Sequence, residues 1–591
     1  MKKIILSTCI AALGSMAMLS LSSCGDELKP YPWVIEGDEF DEEGAGASDM
    51  GKLEQELRGA IPFMLNYSHE PTGTWAPHKY QYYRSNTIDN YAGYWTTTKA
   101  NFQFGPALPC LYYDPNGYMG GAMDNQLFTQ SRNAIKYASD MTQKDGTRVR
   151  KPEWRAIALI IQAYLGHEVV DFFGVAPFID WRNNVRTTLT YQKGEDVYKQ
   201  ILSDLDEAIA ILKERKPSSA ELQKVEGTQP EKTISDWEWQ RWVKFANSIK
   251  LRMAMNIVDY KSSEPTYGPQ NKPFVAKNIA EEAFSDEIGV LMPGDRDIAY
   301  RTFADTHDCC LYAIGNSWND IRLNASMENI MKRLDNPLLS VWFPKNSYPI
   351  KDKNGRKAPN GIYGVRAGIM MEDNQGPDRG GYGPFAALSP DQKNMDQPFL
   401  KVAEVTFIRA EGALRGWNMG GSAKDLYELG ISESFKEWGI EDKLNKYMAQ
   451  TECKPIDYTD YYDRRNSIAG RVNIGVKWNE SDSKELKLEK IITQKWIANF
   501  PMGAEAWTTY RRTGYPRIFP VPINNLAGVD TEMQIRRLKF NETDNNAQEM
   551  AQIIELMGGS QTCGDRVFWD VNSATWAMDE NGQYIPDNHL N

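Results

Sequence analysis

The 591-residue chain has few of the residues on which common catalytic sites depend. Its five histidines are His69, His78, His167, His307 and His589, so a Ser-His-Asp or metal-hydrolase site would have to draw on these few. The sequence has no G-x-x-x-x-G-K-[ST] phosphate loop, no G-x-G-x-x-G fingerprint and no G-x-S-x-G nucleophile elbow. We therefore predict no catalytic residue, no bound metal and no cofactor.

One motif comes close to a metal site. His167 and Glu168 begin a pattern like H-E-x-x-H, but Asp171 stands where the second histidine would be. Zinc then lacks the pair of imidazoles four residues apart, and we interpret His167 as a histidine near a helix end. A glycosidase with two carboxylates stays open as an alternative, because 79 acidic residues offer many pairs.

Basic runs are also absent, and the net charge is −12. An acidic chain of this kind is a poor nucleic-acid binder, so we expect no nucleic-acid partner. Apart from Cys9 and Cys24 near the N-terminus, five cysteines occur at irregular spacing: Cys110, Cys309, Cys310, Cys453 and Cys563. An odd number without a pattern does not make a disulfide framework, and buried thiols are the simpler interpretation.

The N-terminus has the pattern of a bacterial lipoprotein precursor. Lys2 and Lys3 precede an apolar stretch, which ends at Leu21-Ser22-Ser23-Cys24. Two small residues before a cysteine fit a signal peptidase, and the thiol accepts the lipid, so we assign residues 1–23 to a signal peptide and Cys24 to lipidation. A transmembrane anchor is the alternative, but five serines dilute the stretch. Residues 24–50 are acidic and glycine-rich, which predicts a flexible tether.

Hydrophobic spacing predicts helices through most of the remaining chain. Pro152 opens the first long one and Gly174 lies beyond its end. We treat 51–591 as one domain, in which residues 260–395 form a loop-rich insertion because Gly, Pro and Asn are frequent there. The predicted helices cover about 154–170, 196–212, 242–257, 402–415, 423–438, 486–498 and 547–557.

Aromatic residues are abundant, with 17 Trp and 29 Tyr, and many fall in residues 75–118 among Asn, Thr, Gly and Pro. We predict long loops there and a ligand-binding platform, because sugar rings stack on aromatic faces while amides and charged groups bind hydroxyls. A second candidate is Trp318 with Asn316 and Asn319; local packing is the alternative for every one of these residues. The predicted platform consists of Trp75, Tyr82, Tyr83, Arg84, Asn86, Asp89, Asn90, Tyr91, Tyr94 and Trp95.

Several stretches resemble the SusD/RagB family of nutrient-binding outer-membrane lipoproteins, more narrowly its SusD-like group 2 branch. Residues 170–178, Val-Asp-Phe-Phe-Gly-Val-Ala-Pro-Phe, are similar to the family's D-L-Y-G-D-V-P-Y pattern. Residues 403–411 resemble its S-E-V-x-F-L-x-A-E-A helix, with Gly412 in place of the usual alanine. The most specific stretch is 492–516, and further matches lie at 163–164, 244–254, 536–538 and 567–570.

The resemblance implies a mainly α fold, in which about four tetratricopeptide-like helix pairs form a repeat scaffold beside a loop-rich ligand-binding region. It also implies a lipid-anchored protein on the outer membrane, facing the cell exterior, with a SusC-type TonB-dependent transporter as partner. We expect the motif residues Glu505, Trp507, Arg511 and Arg512 to hold helices together rather than to bind ligand.

The function indicated is capture of glycans or oligosaccharides for delivery to that transporter. Three alternatives stay open: a peptide-binding member of the same family, a surface glycoside hydrolase, and a structural lid without ligand affinity of its own. We favour binding over catalysis, because the resemblance runs through the whole mature chain and no catalytic constellation is present.

Overall fold

The chain is mainly helical in its computed structural model. The largest gaps in the described part of the chain are 1–52, 61–76, 99–131, 301–307, 370–380 and 573–589, so the predicted leader, Cys24 and the whole predicted tether lie outside it. The structure describes residues 53, 55–57, 60, 77–98, 132–136, 138, 141–142, 148–149, 151–183, 185, 188–228, 233–300, 308–346, 348–369, 381–524, 526–540, 542, 547–572 and 590.

Helices supply nearly all the regular structure of these residues. Two of them are π-helical, π1 at Gln81–Ile88 and π2 at Ala313–Ser317. The α-helices are α1 Pro77–Tyr80, α2 Asp89–Tyr91, α3 Pro152–Phe173, α4 Phe178–Arg182, α5 Gly194–Arg215, α6 Ser219–Glu226, α7 Trp239–Asn256, α8 Ala276–Ser285, α9 Cys310–Tyr312, α10 Ala325–Arg333, α11 Leu338–Trp342, α12 Val402–Leu414, α13 Ala423–Glu437, α14 Leu444–Met448, α15 Lys484–Ala498, α16 Gly503–Thr513 and α17 Ala547–Leu556.

The strands are short and pair in twos. All five ladders are antiparallel: β1 with β9, β8 with β10, β2 with β3, β4 with β5 and β6 with β7. Their bounds are β1 Trp95–Thr97, β2 Met141–Thr142, β3 Arg148–Val149, β4 Val175–Ala176, β5 Gln192–Lys193, β6 Thr266–Tyr267, β7 Lys272–Pro273, β8 Ile298–Tyr300, β9 Ile321–Leu323 and β10 Gln397–Leu400.

Eight helices make up what we call the helical scaffold. They pack as the successive pairs α3 with α5, α7 with α8, α12 with α13 and α15 with α16. Neighbouring pairs touch through α5 and α7, α7 and α12, and α12 and α15. This order of stacked helix pairs confirms the predicted mainly α, tetratricopeptide-like repeat fold.

Helix α3 is a long, buried helix of this scaffold. Proline at its first position fixes a helical φ, and Gly174 ends it with a φ of +85°. Of the described helices, α3 alone is long and apolar enough to cross a membrane, and its apolar window is 100% buried inside the protein. It is therefore built as a core helix, with neighbours covering every side.

Buried ion pairs join the helices of the scaffold. Arg252 on α7 contacts Glu404 on α12 at 2.7 Å, and Lys495 on α15 contacts Glu505 on α16 at 2.6 Å. Arg512 on α16 makes two hydrogen bonds of 2.7 Å to Glu411 on α12. Of the predicted motif residues, Glu505 and Arg512 form these pairs, and Trp507 and Arg511 are buried as well. Their burial supports the expectation that they hold helices together.

The stretch 260–395 is less irregular than predicted. It contains α8, α10 and α11, and α8 belongs to the scaffold through its packing against α7. What we call the loop side comprises residues 308–369 and 381–396. It has a small apolar cluster of its own, formed by Ile350, Tyr363, Val365, Ile369, Tyr382 and Phe385.

Candidate ligand-binding surface

The described side chains of the predicted aromatic platform lie inside the protein. Residues 77–91 are helical, as α1, π1 and α2, so the loop prediction is wrong for this part. Trp75 lies outside the described residues, and Tyr82 and Tyr83 belong to π1 with side chains that are not described. All other predicted platform residues are buried: Arg84, Asn86, Asp89, Asn90, Tyr91, Tyr94 and Trp95.

Contacts with distant parts of the chain explain this burial. The Trp95 ring packs edge-on against Phe343, with ring centroids 5.5 Å apart, and Tyr91 packs against Trp507 at 5.4 Å. The Tyr94 hydroxyl donates to the Trp496 carbonyl. These rings present no open face for a sugar, so their binding role stays a prediction that the geometry does not favour.

The polar members of the platform form an internal cluster. Arg84 Nη2 contacts Glu168 Oε2 at 2.7 Å, and the Tyr80 hydroxyl donates to Asp89 at 3.3 Å. Burial raises the pKa of Asp89 to about 7. A cavity of about 40 Å³ lies between these groups and Gln397. That volume holds a water molecule rather than a sugar ring.

Trp318 is the predicted aromatic that keeps an accessible face. Its ring is half-buried and packs with one side on the main core, while Asn316 is exposed and Asn319 half-buried. Of the predicted site aromatics with described side chains, Trp318 alone is not buried. The second candidate of the sequence is therefore the one whose position suits ligand contact.

The backbone around Trp318 is held in an unusual shape. The residue follows π2, and its N–H donates to the Ala313 carbonyl at 3.0 Å. Asn319 then has a φ of +61°, which Asn tolerates better than most residues. Short π-helical turns occur often at functional sites, because the extra residue displaces side chains from the regular helical face.

Hydrogen bonds to neighbouring segments make this surface rigid. Thr98 donates its N–H to the Asp320 carbonyl at 2.9 Å and its hydroxyl to the Asn319 carbonyl at 2.8 Å. The Asn316 amide donates to the Leu388 carbonyl at 3.1 Å. The half-exposed indole of Trp318 thus lies on a rigid backbone between the amides of Asn316 and Asn319. It provides an apolar face for a sugar ring, and the amides provide polar groups for its hydroxyls.

Two buried scaffold side chains have strongly shifted pKa values. Burial lowers the pKa of His167 to about 4 and raises the pKa of Asp171 to about 7. Asp171 accepts hydrogen bonds from the Tyr198 hydroxyl at 2.5 Å and the Trp569 indole at 2.8 Å. These shifts reflect enclosure in the core, because both side chains are at most 2% exposed.

Carboxylates also approach each other inside the scaffold. Glu404 and Glu505 both contact Arg252, at 2.7 and 3.8 Å, but they are 0% and 5% exposed. A substrate has no access to such a pair. Within the described residues, no group of three or more His, Cys, Asp or Glu side chains is arranged to hold a metal ion.

The stacked helix pairs, together with a surface aromatic on the loop side, define a helical-repeat binding protein. A family model described as the Susd and RagB outer membrane lipoprotein matches residues 41–570. The chain therefore belongs to the SusD-like family, a family of outer-membrane lipoproteins. No match to the chain was found among curated proteins.

Solved structures of other SusD homologues share the fold over nearly their whole length. A chitin-binding SusD homologue from Flavobacterium johnsoniae has 30% identity and a TM-score of 0.72, covering 88% of this chain and 99% of its own. A SusD homologue from Bacteroides thetaiotaomicron has 26% identity and a TM-score of 0.71, with 90% and 100% coverage. A SusD-like protein from the same organism has 27% identity and a TM-score of 0.69, again with 90% and 100% coverage.

Proposed function

We propose that this protein captures glycans or oligosaccharides at the cell surface and passes them to a SusC-type TonB-dependent transporter. The observation that carries the proposal is the match over 99% of a chitin-binding homologue at 30% identity. The half-exposed Trp318 on the loop side supports it, because a rigid indole beside amide groups suits a sugar ring.

In this proposal, the indole of Trp318 stacks on the apolar face of one sugar ring. The amides of Asn316 and Asn319 bind neighbouring hydroxyl groups, and the scaffold holds their backbone in place. The proposal is binding without turnover. It is supported by the burial of Glu404 and Glu505, which pair with Arg252 and Lys495 and are closed to a substrate.

The proposed arrangement on the membrane follows from the sequence. Lipid on Cys24 anchors the protein, and residues 24–50 provide a flexible connection to a single domain at 51–591. With the domain facing the cell exterior, the captured glycan meets the transporter directly. Association with the transporter is tested by co-purification of the full-length protein from outer membranes, and loss of Cys24 in a Cys24→Ala variant should release the protein from them.

Ligand capture is tested on the soluble chain without residues 1–24. A glycan array identifies the ligand, and calorimetry then compares wild type with Trp318→Ala. Loss of a stacked aromatic contact should weaken binding by about 1–3 kcal/mol. Tyr348→Ala is the matched control, because Tyr348 is a 74% exposed aromatic outside the Trp318 surface.

Three outcomes separate the hypotheses. Weaker binding in Trp318→Ala but not in Tyr348→Ala supports both the function and the site. Glycan binding that neither change affects keeps the function and moves the site elsewhere. Absence of any glycan binding contradicts the proposal, and a peptide library then tests the peptide-binding alternative.

A further inference from the structure

A second cavity, far along the chain from Trp318, opens at the ends of scaffold helices. Its volume is about 590 Å³, which is in the range of sites that enclose small ligands. It is bounded by residues that follow α7, that begin α8 and α15, and that end α12. Six of the residues that line it carry the argument: Tyr260, Lys261, Val275, Lys277, Trp417 and Lys484.

The charge of this cavity is opposite to that of the whole protein. Lys261, Lys277 and Lys484 are exposed at its wall, in a chain of net charge −12. The carboxylate of Asp259, which also lines it, is neutralised by Arg415 at 3.1 Å. Among the described residues that line the cavity, three lysines therefore remain in excess, and an anion entering it would be attracted by them.

The carboxylates recorded near this wall have other partners or only a weak contact with the lysines. Glu195, which accepts hydrogen bonds from Tyr260 and Ser262, is paired with Lys199 at 2.8 Å. Lys277 is 3.9 Å from Glu281, at the edge of ion-pair distance, and both side chains are partly in solvent. Helix α8 adds to the positive potential, because its first turn points its N–H groups outward and Val275 offers no side-chain cap. An anionic ligand would gain charge-assisted hydrogen bonds without first displacing strong internal pairs.

Aromatic side chains line the same space. Trp417 is half-buried and packs over α12 at Gly412, where an added Cβ would lie 2.9 Å from both the Trp417 ring and Met419. The absence of a side chain at Gly412 thus allows the indole to lie close to the helix. Tyr260 is fixed by its hydroxyl, which donates to Glu195 at 2.5 Å, and by edge-on packing against Phe568 at 5.1 Å.

We propose that this cavity is a second saccharide site, specific for sugars that carry a carboxylate or sulfate group. Trp417 and Tyr260 provide apolar walls for the ring, and Lys261, Lys277 and Lys484 bind the anionic substituent. The exposed Val275, whose side chain is 45% accessible, lies at the same wall and gives the apolar part of the ligand further contact. The site shares no lining residue with the Trp318 surface, so a substitution at one removes no lining residue of the other.

The test uses a matched pair of disaccharides, one ending in glucuronate and one in which glucose replaces the glucuronate. Calorimetry is carried out on the chain without residues 1–24 at low salt. We expect the acidic disaccharide to bind at least about tenfold more tightly than the neutral one, since charged hydrogen bonds are strong and specific. Added salt should weaken the acidic ligand and leave the neutral ligand unchanged.

Variants then assign the roles. Lys277→Gln with Lys484→Gln should reduce affinity for the acidic disaccharide about tenfold or more, whereas Trp417→Ala should weaken both disaccharides. The control is Lys351→Gln with Lys357→Gln, which removes two exposed lysines outside the cavity. Thermal melting confirms that each variant is folded.

Several results would overturn the proposal. Equal affinity for the two disaccharides, or no binding of either, removes the acidic-sugar specificity. If inorganic sulfate fully displaces the acidic disaccharide and Trp417→Ala does not weaken its binding, the cavity binds anions and does not recognise a sugar ring. The Trp318→Ala variant leaves this cavity intact. If it loses binding on the glycan array but still binds the glucuronate disaccharide, the two sites are distinct and the failure of one proposal can be told from the failure of the other.

Discussion

The helical scaffold and the loop side use the same residue types in opposite ways. In the scaffold, Arg252 and Glu404 form an ion pair whose side chains are 2% and 0% exposed. On the loop side, Arg356 pairs with Asp352 across a turn, and its side chain is 74% exposed. Tryptophans differ likewise, since Trp507 is 0% exposed and Trp318 is half-exposed. Buried charges and rings specify how the scaffold helices pair, whereas exposed ones on the loop side contribute little to helix packing.

Breaking one buried ion pair should have the largest effect on stability. Arg252→Met leaves the Glu404 carboxylate enclosed without its partner, so we expect the free energy of unfolding to fall by about 3–5 kcal/mol. Denaturant titration measures the change. Arg356→Met, at the exposed pair, should leave the free energy of unfolding nearly unchanged, because solvent screens the pair. Equal losses in both variants would contradict the contrast between the regions.

The buried His167 should make stability depend on pH. Burial lowers its pKa from 6.5 to about 4, so between these values the unfolded chain binds a proton that the folded chain does not. The contribution of His167 to the free energy of unfolding is fully present above pH 6.5. It falls by about 3 kcal/mol as the pH is lowered toward 4. The raised pKa of Asp171 acts in the opposite direction over this range.

A difference curve isolates the histidine. We expect the free energy of unfolding of His167→Gln to fall less than that of wild type between pH 6.5 and 4. His78 is exposed, and His78→Gln should follow wild type. Parallel curves for all three proteins would show that the enclosed imidazole does not resist protonation.

Close approach of two scaffold helices should be sensitive to a single methyl group. Gly430 lies on α13, and a Cβ added there would be 2.7 Å from the Phe407 ring on α12. Gly430→Ala should therefore lower the free energy of unfolding by about 1–3 kcal/mol through overpacking. Ser432→Ala on the same helix is the control, and its melting temperature should stay close to that of wild type.

The smallest effect is expected at the loop side. Tyr348 is 74% exposed, and Tyr348→Ser should change the free energy of unfolding by about 0.5 kcal/mol or less. Thermal melting is sufficient to check this. A large loss would mean that the side chain packs against something in the folded protein, and the division between the two regions would need to be redrawn.

Most scaffold helices could be predicted within a few residues. The sequence predicts a helix at 402–415 and the structure has Val402–Leu414; it predicts 486–498 and the structure has Lys484–Ala498. Helical spacing, Ser483 as a cap, and Pro152 and Gly174 as boundaries are local signals. Such signals act within a few residues and are therefore visible in the sequence.

The loop prediction for the aromatic segment is wrong at 77–91 because the structure there depends on more than local sequence signals. Residues 81–88 form a π-helix, whose spacing does not match the usual helical period. Tyr94 and Trp95 are covered by Trp496, Phe343 and Phe500, which are hundreds of residues away in the chain. An exposed loop tryptophan and a buried one have the same local composition here, so the sequence offered no way to separate Trp95 from Trp318.

Local pattern by itself determined the helices, and the motif residues determined the family. Only the tertiary structure decided which aromatics face the solvent and which charges lie together, because burial depends on contacts between distant segments. The lysine cavity is an example: Lys261, Lys277 and Lys484 come from three places in the chain, and the packing of α7, α8, α12 and α15 brings them around one space. Local propensity acts over a few residues, whereas a binding surface is made by the whole fold.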